Sequence, residues 1–294
     1  MSVIHLTGVG LGACLIATSL AALACPEALA EELSIAPANM VRIGTVDERF
    51  QSYNIEMVEV TGGRFWKPYG SSPTTVHSDL YAYRAPIDLA NPRLRRLAAA
   101  LAPAYMRVSG SWANATYFAD SDSAPPEPPA GFDGVLTRRQ WQGVVNFSRA
   151  VDAPIVTSFS VSPGTRNAVG AWAPEQARRL LAYTAAVGGS IAAAEFMNEP
   201  NVSAAGAPPA ADDADAYGRD FKLFHSFIKQ SSPDILILGP GLAGATDLAP
   251  QLLVSSGPGL DAFSYHQYAT LSERCGGTSA PEVALSEEWL GRTE

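Results

Sequence analysis

The residues best suited to chemistry are the acidic and amide side chains in the segment Glu195-Phe-Met-Asn-Glu-Pro-Asn201. The apolar residues 191–197 predict a strand, and Pro200, which has no backbone N–H, ends it. Glu199 is thereby expected at the carboxyl end of a strand, at the edge of a pocket. A carboxyl group in such a partly dry place should have a raised pKa, as a general acid near neutral pH requires. Asn198 offers an amide that can hydrogen-bond to a hydroxyl group of a ligand. The structural alternative is that Glu199 merely begins a helix after a turn.

Six short runs of β-prone residues recur along the chain, and amphipathic stretches separate them. The alternation predicts parallel βαβ units, and therefore either a (β/α) barrel or a doubly wound sheet. Residues 119–133 and 203–215 are rich in Pro, Ala and Asp, and are predicted to be loops on the carboxyl-end face of a barrel or solvated insertions. The predicted strands are residues 53–60, 104–109, 153–159, 191–197, 234–238 and 261–266, and the predicted helices are residues 92–101, 136–151, 174–187 and 214–230.

The composition indicates a folded protein with a large core. The chain has 294 residues, of which 47% are hydrophobic and 17% charged, and a formal net charge of −9. The apolar fraction argues against global disorder, and the negative charge argues against nucleic acid as a partner. After residue 30, no apolar stretch reaches the roughly 18 residues of a membrane-spanning helix. We therefore expect no membrane span.

The first 30 residues have the layout of a signal peptide, with a short apolar core, small residues and a cleavage site after Ala28-Leu-Ala30. A secreted or periplasmic protein is expected, and a lipoprotein site at Cys25 is the alternative. After cleavage only Cys275 remains of the cysteines, so they cannot build a metal site, and no cofactor is expected. The predicted domains are residues 1–30 as signal peptide, 31–50 as an N-terminal lead-in segment and 51–294 as a partial (β/α) catalytic barrel.

Three segments of the sequence carry a family resemblance. Residues 194–201, Ala-Glu-Phe-Met-Asn-Glu-Pro-Asn, resemble the acid/base motif on strand 4 of retaining glycoside hydrolases with (β/α)8 barrels. Residues 91–110 and 261–268 resemble the segments around strand 2 and strand 6 of glycoside hydrolase family 79, the heparanase and β-glucuronidase family. The resemblance implies a (β/α)8 TIM barrel that hydrolyses a β-linked uronic acid, in an oligosaccharide, a polysaccharide or another glucuronide, with retention of configuration.

The resemblance also implies roles for six residues. Glu199 would be the catalytic acid/base, and Asn198 would bind the 2-hydroxyl of the sugar. Four more would line the substrate site: Glu56, Ser111, His266 and Tyr268. From the residues alone, Glu56 could instead face solvent, His266 could be a core histidine, and Tyr268 could serve packing only.

A retaining glycosidase needs a second carboxylate about 5 Å from the first. The nucleophile of family 79 is a Glu at the end of strand 7, and the six predicted strands stop before it. We therefore expect an incomplete barrel of about six βα units, with the nucleophile, the closing strands and a β-sandwich domain beyond residue 294, and no activity in these residues alone. Glu294 as nucleophile is the alternative, although the pattern from Pro281 predicts a helix there.

Two other functions stay open at this stage. One is a different retaining barrel glycosidase, such as a β-xylosidase or a glucanase. The other is a non-catalytic barrel in which Glu199 only contacts a bound carbohydrate.

Overall fold

The computed structural model describes residues 36–68, 80–202, 214–244, 247–268, 283 and 286–290. The chain divides into two units, Met1–Thr45 and Val46–Glu294, and the described part of the first holds one turn of 3-10 helix at Pro37–Asn39. The strands of the second unit are β1 Tyr53–Glu56, β2 Gly63–Trp66, β3 Tyr81–Arg84, β4 Met106–Ser109, β5 Thr116–Phe118, β6 Gly134–Leu136, β7 Ile155–Ser158, β8 Ile191–Glu195, β9 Leu236–Ala243 and β10 Ala262–His266. Its helices are α1 Met57–Thr61, α2 Pro92–Ala99, α3 Arg138–Ala150, α4 Glu175–Ala186, α5 Ala214–Ser231, α6 Ala249–Ser256 and α7 Glu287–Leu290.

Among the described residues, six parallel strands form the main sheet in the order β1-β4-β7-β8-β9-β10. Each strand therefore pairs with the next predicted strand along the chain, and helices occupy the crossovers. A doubly wound sheet would reverse its strand order at a switch point, whereas a barrel adds its strands in one direction. The predicted α/β class and the incomplete TIM barrel of about six βα units are confirmed for the described residues.

The core lies between the central strands and the helices that cover them. Along α5, Phe221 and Phe224 face the sheet three residues apart and are fully buried. The ring of Phe224 lies 5.4 Å from that of Phe196, which follows β8 directly and also packs edge-on against Trp172 at 5.7 Å. Phe196 and Met197 are both inaccessible, so the chain that leaves β8 toward Asn198 is anchored in the core.

The first strand is shorter than predicted, because a helix begins inside the predicted run 53–60. Strand β1 ends at Glu56, and α1 starts at Met57. The backbone N–H of Glu56 donates to the Glu59 carboxylate at 3.0 Å, a local bond that caps the new helix. The early end puts Glu56 at the carboxyl edge of the sheet.

The strands around the predicted motif also have different bounds. Strand β8 ends at Glu195, four residues before Glu199, so Pro200 does not end it. Strand β9 continues beyond the predicted end at residue 238, through Gly239-Pro-Gly241 to Ala243. Its pairing with β10 shifts in register between Ser264 and Tyr265, which leaves Gly241 as the extra residue of a β-bulge.

Two small sheets were not predicted. Strands β2 and β3 form an antiparallel pair after α1, and β5 and β6 form a parallel pair that flanks the predicted loop at residues 119–133. The second predicted loop, residues 203–215, lies mostly outside the described residues. Within the part of the chain that is described, no helix is both long and apolar enough to span a bilayer.

Candidate active site

The six predicted site residues lie at or just beyond the carboxyl ends of parallel strands. These ends meet along one edge of the sheet, which is where barrel enzymes build their sites. In order along the sheet, Glu56 ends β1, Ser111 follows β4, Asn198 and Glu199 follow β8, and His266 and Tyr268 end or follow β10.

Glu199 occupies a turn with an uncommon backbone for a residue that has a side chain. Its φ of +47° is in the left-handed region. Its N–H donates to the carbonyl of Gly241 in the β9 bulge at 3.0 Å, and its own carbonyl accepts from the N–H of Val202 at 3.0 Å. The turn is thus hydrogen-bonded to β9 through the backbone of Glu199 itself.

The Glu199 carboxylate is largely buried, with 14% of the side chain exposed. Its Oε1 accepts a hydrogen bond from the Tyr268 hydroxyl at 2.8 Å and lies 2.8 Å from Nδ1 of His266. Burial acts to raise the pKa of Glu199, but the hydrogen bonds with His266 and Tyr268 and the electrostatic effects of His266 and Arg107 bring it below its usual value. The raised pKa expected from the sequence is therefore wrong for this arrangement.

The two partners, one at the end of β10 and one just after it, are placed to hydrogen-bond to a carboxylate. Burial, and then the hydrogen bond to Glu199, raise the pKa of Tyr268, so its hydroxyl keeps its proton. His266 has 22% of its side chain exposed and contacts Glu199, so it is not a fully buried core histidine. The geometry brings both residues to Glu199, and their contact with a substrate stays a prediction.

Asn198 is buried, and both its backbone and its side chain make hydrogen bonds. Its backbone N–H donates to Oδ1 of Asn114 at 2.9 Å, and its carbonyl accepts from Nδ2 of Asn114 at 2.8 Å. Its side-chain Oδ1 accepts from Nη2 of Arg107 at 2.8 Å, and its Nδ2 is 3.4 Å from Oγ of Ser111. The predicted contact residue Ser111 therefore reaches Asn198.

Arg107 and Glu195 form an ion pair that was not predicted to belong to the site. Nε and Nη2 of Arg107 donate to Oε2 of Glu195 at 2.9 and 2.6 Å. The other oxygen of Glu195 accepts from the Ser264 hydroxyl at 3.0 Å, and Nη1 of Arg107 donates to Asn54 at 2.8 Å. With its bond to Asn198, Arg107 links β1, β8 and the segment that follows β8.

A signal for this pair was present in the sequence. Arg107 and Glu195 each stand in an apolar, β-prone run that was predicted to be a strand. Buried charges are paired in folded proteins because an unpaired one is expensive. Two opposite charges in two apolar strands of one sheet were therefore candidates for contact, although β4 and β8 are separated by β7 in the strand order.

Glu56 also lies at this edge of the sheet, but its protonation differs from that of Glu199. Its Oε2 is inaccessible and makes no hydrogen bond within the described residues. Burial raises the pKa of Glu56 to about 7, with Arg107 acting against the rise and the negative charges of Glu199 and Glu59 adding to it. Glu56 is therefore not the solvent-facing residue of the alternative interpretation, and it holds its proton at a pH where Glu199 is ionised.

The comparisons with known proteins give structural neighbours only. No family model matches the chain, and none of the curated proteins matches it. Solved structures that resemble it include the GH53 catalytic domain of Ignisphaera aggregans, with 14% identity over 76% of this chain and 61% of that one and a TM-score of 0.42.

Two further neighbours are an arabinofuranosidase and a xylanase. One is a family 51 α-L-arabinofuranosidase of Bifidobacterium longum, with 13% identity, a TM-score of 0.46, and coverage of 79% of this chain and 46% of that one. The other is the catalytic domain of GH30 xylanase C from Talaromyces cellulolyticus, with 16% identity, a TM-score of 0.39, and coverage of 56% and 44%. The chain spans less than two thirds of the length of each neighbour. The neighbours are glycoside hydrolases, and membership of family 79 stays a prediction.

Proposed function

We propose that this chain carries the acid/base side of a retaining glycoside hydrolase site that acts on β-linked uronic acids. The observation that supports this most directly is the environment of Glu199. Its carboxylate is nearly buried at the carboxyl edge of a barrel-type sheet and is held by Tyr268 and His266 at 2.8 Å each. The amide of Asn198, next to it in sequence, is fixed by Arg107.

The proposed chemistry has two steps. Glu199 gives a proton to the glycosidic oxygen while a second carboxylate attacks the anomeric carbon, so the bond to the leaving alcohol breaks as the glycosyl–enzyme bond forms. Glu199 then removes a proton from water, which attacks the same carbon and releases the sugar and the second carboxylate. We assign that nucleophile to a residue outside the described part of the chain, because Glu195 is engaged with Arg107.

The lowered pKa of Glu199 fits the second step directly, since a base must be ionised. The first step needs the protonated form. A nucleophile carboxylate about 5 Å away would raise the pKa of Glu199 by like-charge repulsion. The pair as a whole, rather than Glu199 alone, would then set the pH range of the reaction.

The uronic acid specificity rests on the resemblance of residues 91–110, 194–201 and 261–268 to family 79. Export through the predicted signal peptide, residues 1–30, fits a polysaccharide or glucuronide substrate outside the cell. A β-xylosidase or glucanase is the second candidate, because an Asn-Glu-Pro motif is shared by many barrel glycosidases.

A panel of nitrophenyl glycosides tests the proposal on protein expressed from its whole reading frame. We expect cleavage of the β-glucuronide, and a loss of roughly 10²- to 10⁴-fold in kcat for Glu199→Gln. Glu175→Gln, which changes an exposed carboxylate on α4, is the matched control and should keep full activity. Cleavage of neutral sugars alone would favour the second candidate, glycan binding without hydrolysis would favour a non-catalytic barrel, and normal activity of Glu199→Gln would overturn the role of Glu199.

A further inference from the structure

The side chain of Asn201 pairs with the backbone of strand β9. Its Oδ1 accepts a hydrogen bond from the N–H of Ala243 at 2.8 Å, and its Nδ2 donates to the carbonyl of Ala243 at 2.9 Å. Strand β8 has already ended at Glu195, so the carboxamide takes the place of a neighbouring strand at this point of β9. Both backbone groups of Ala243 are thereby satisfied by one side chain.

The same stretch of β9 also holds His266. Ala243 is the register partner of His266 in the β9–β10 pairing, and the N–H of Gly244 donates to the His266 carbonyl at 2.8 Å. Two residues earlier, the carbonyl of Gly241 accepts the N–H of Glu199. Residues 241–244 therefore carry the turn of Glu199 on one edge and the strand of His266 on the other.

The turn at Glu199 needs this support because its backbone is strained. A left-handed conformation is unfavourable for a residue with a side chain, and it persists only where the surroundings impose it. Three hydrogen bonds join the turn to β9, one from the Glu199 backbone and two from the Asn201 side chain. Removal of the Asn201 carboxamide would leave one of the three and would expose the Ala243 backbone groups.

We propose that Asn201 is a positioning residue, which fastens the turn to Ala243 and so sets the 2.8 Å contact between Glu199 and His266. It acts through the backbone and is not itself a catalytic residue. The expected effect on activity rests on the proposed function of Glu199, whereas the geometric effect does not.

The test compares Asn201→Ala with Asn167→Ala. Asn167 is a matched control because its side chain also accepts backbone N–H groups, those of Val169 and Ala171, within its own loop. In protein labelled with ¹³C-Glu and ¹⁵N-His, we expect Asn201→Ala to raise the pKa of Glu199 and to change the Nδ1 shift of His266. Asn167→Ala should leave both signals unchanged, even if it lowers Tm by a similar amount.

A lower Tm of Asn201→Ala together with unchanged Glu199 and His266 signals would overturn the proposal. Asn201 would then have a purely structural role. If Asn201→Ala does not fold, Asn201→Ser is measured in the same way, and amide exchange is followed in the wild-type protein. Fast exchange of the Ala243 N–H would also overturn the proposal.

Activity supplies a separate readout on protein from the whole reading frame. We expect kcat to fall about 10- to 100-fold in Asn201→Ala with a smaller change in KM, because a misplaced acid/base slows chemistry more than binding. If the wild-type protein cleaves no glycoside, the proposed function fails while the magnetic resonance result still decides the role of Asn201.

Discussion

The carboxyl group of Glu56 occupies the space that a side chain at residue 110 would need. A β-carbon built on Gly110 would lie 1.6 Å from Oε2 and 2.3 Å from the carboxyl carbon of Glu56. Gly110 follows Ser109, the register partner of Glu56 in the β1–β4 pairing, and its φ is +95°. The glycine therefore does two things, since it permits the backbone of the turn after β4 and lets a buried carboxyl group approach that backbone.

We expect Gly110→Ala to destabilise the protein and to displace Glu56. Gly170→Ala is the matched control, because Gly170 has a φ of +77° but a β-carbon there would meet nothing within 4 Å. Backbone strain alone should cost Gly170→Ala about 1 kcal/mol, and Gly110→Ala should cost about 2–3 kcal/mol more in the free energy of unfolding, as overpacking does. Chemical denaturation of both variants measures the difference. Equal losses in the free energy of unfolding would show that the Glu56 side chain moves aside without destabilising the protein.

The raised pKa of Glu56 predicts a pH dependence of stability. An unfolded Glu releases its proton near pH 4.5, and folded Glu56 releases it near pH 7, so between these values the unfolded state binds fewer protons than the native state. The free energy of unfolding should therefore fall as pH rises through this window and level off above it. The full contribution is up to about 3 kcal/mol.

Glu56→Gln tests this dependence, because Gln cannot titrate. We expect the variant to gain stability relative to wild type between pH 5 and pH 7.5, measured by urea denaturation at each pH. Glu59→Gln, which changes the neighbouring acid on α1, should not reproduce the gain. A constant difference between wild type and Glu56→Gln across the window would mean that Glu56 titrates normally.

Removal of only one partner of the Arg107–Glu195 ion pair should strongly destabilise the protein. Only 3% of the Glu195 side chain is exposed, so Arg107→Met would leave a buried charge without its partner, at a cost of about 3–5 kcal/mol. Arg179→Met, which breaks an exposed pair with Glu175 on α4, should cost less than about 1 kcal/mol. Addition of Glu195→Gln to Arg107→Met should recover part of the loss, and no recovery would mean that the guanidinium mainly supports packing and Asn198.

The positions of the six main strands along the chain could be predicted because the patterns are local. The residues of β7, Ile155-Val-Thr-Ser158, are all buried and belong to a β-prone run in the sequence, and the acid/base motif was placed beside a strand end because an apolar run precedes it. The end of β1 was missed because it depends on a side-chain bond from Glu59 to the Glu56 backbone. Apolar residues alone make 53–60 look like a single strand.

The lowered pKa of Glu199 could not be predicted from the residues around it in the sequence. The sequence shows that it follows a buried strand, which accounts for burial and for the expected rise of its pKa. The two donors that reverse this effect, His266 and Tyr268, come from β10 and beyond, 67 and 69 residues along the chain. The β9 bulge at Gly241 that fixes its backbone also depends on pairing between distant segments.

Tyr268→Phe tests the electrostatic state of Glu199 directly. Loss of one donated hydrogen bond should raise the pKa of Glu199, followed by ¹³C titration, because the ionised form loses a partner that the neutral form needs less. A carboxyl group with a lowered folded-state pKa adds stability above its unfolded value and loses it as pH falls through the folded value. Wild type should therefore exceed Tyr268→Phe by about 1 kcal/mol at pH 7, with a smaller difference in acid.

The control for this variant is Tyr83→Phe, which removes a hydroxyl from an exposed residue of β3. It should change neither the Glu199 titration nor the pH dependence of unfolding. A Glu199 titration in Tyr268→Phe that matches wild type would show that the contacts with His266 and Arg107 are enough to keep the pKa of Glu199 below its usual value.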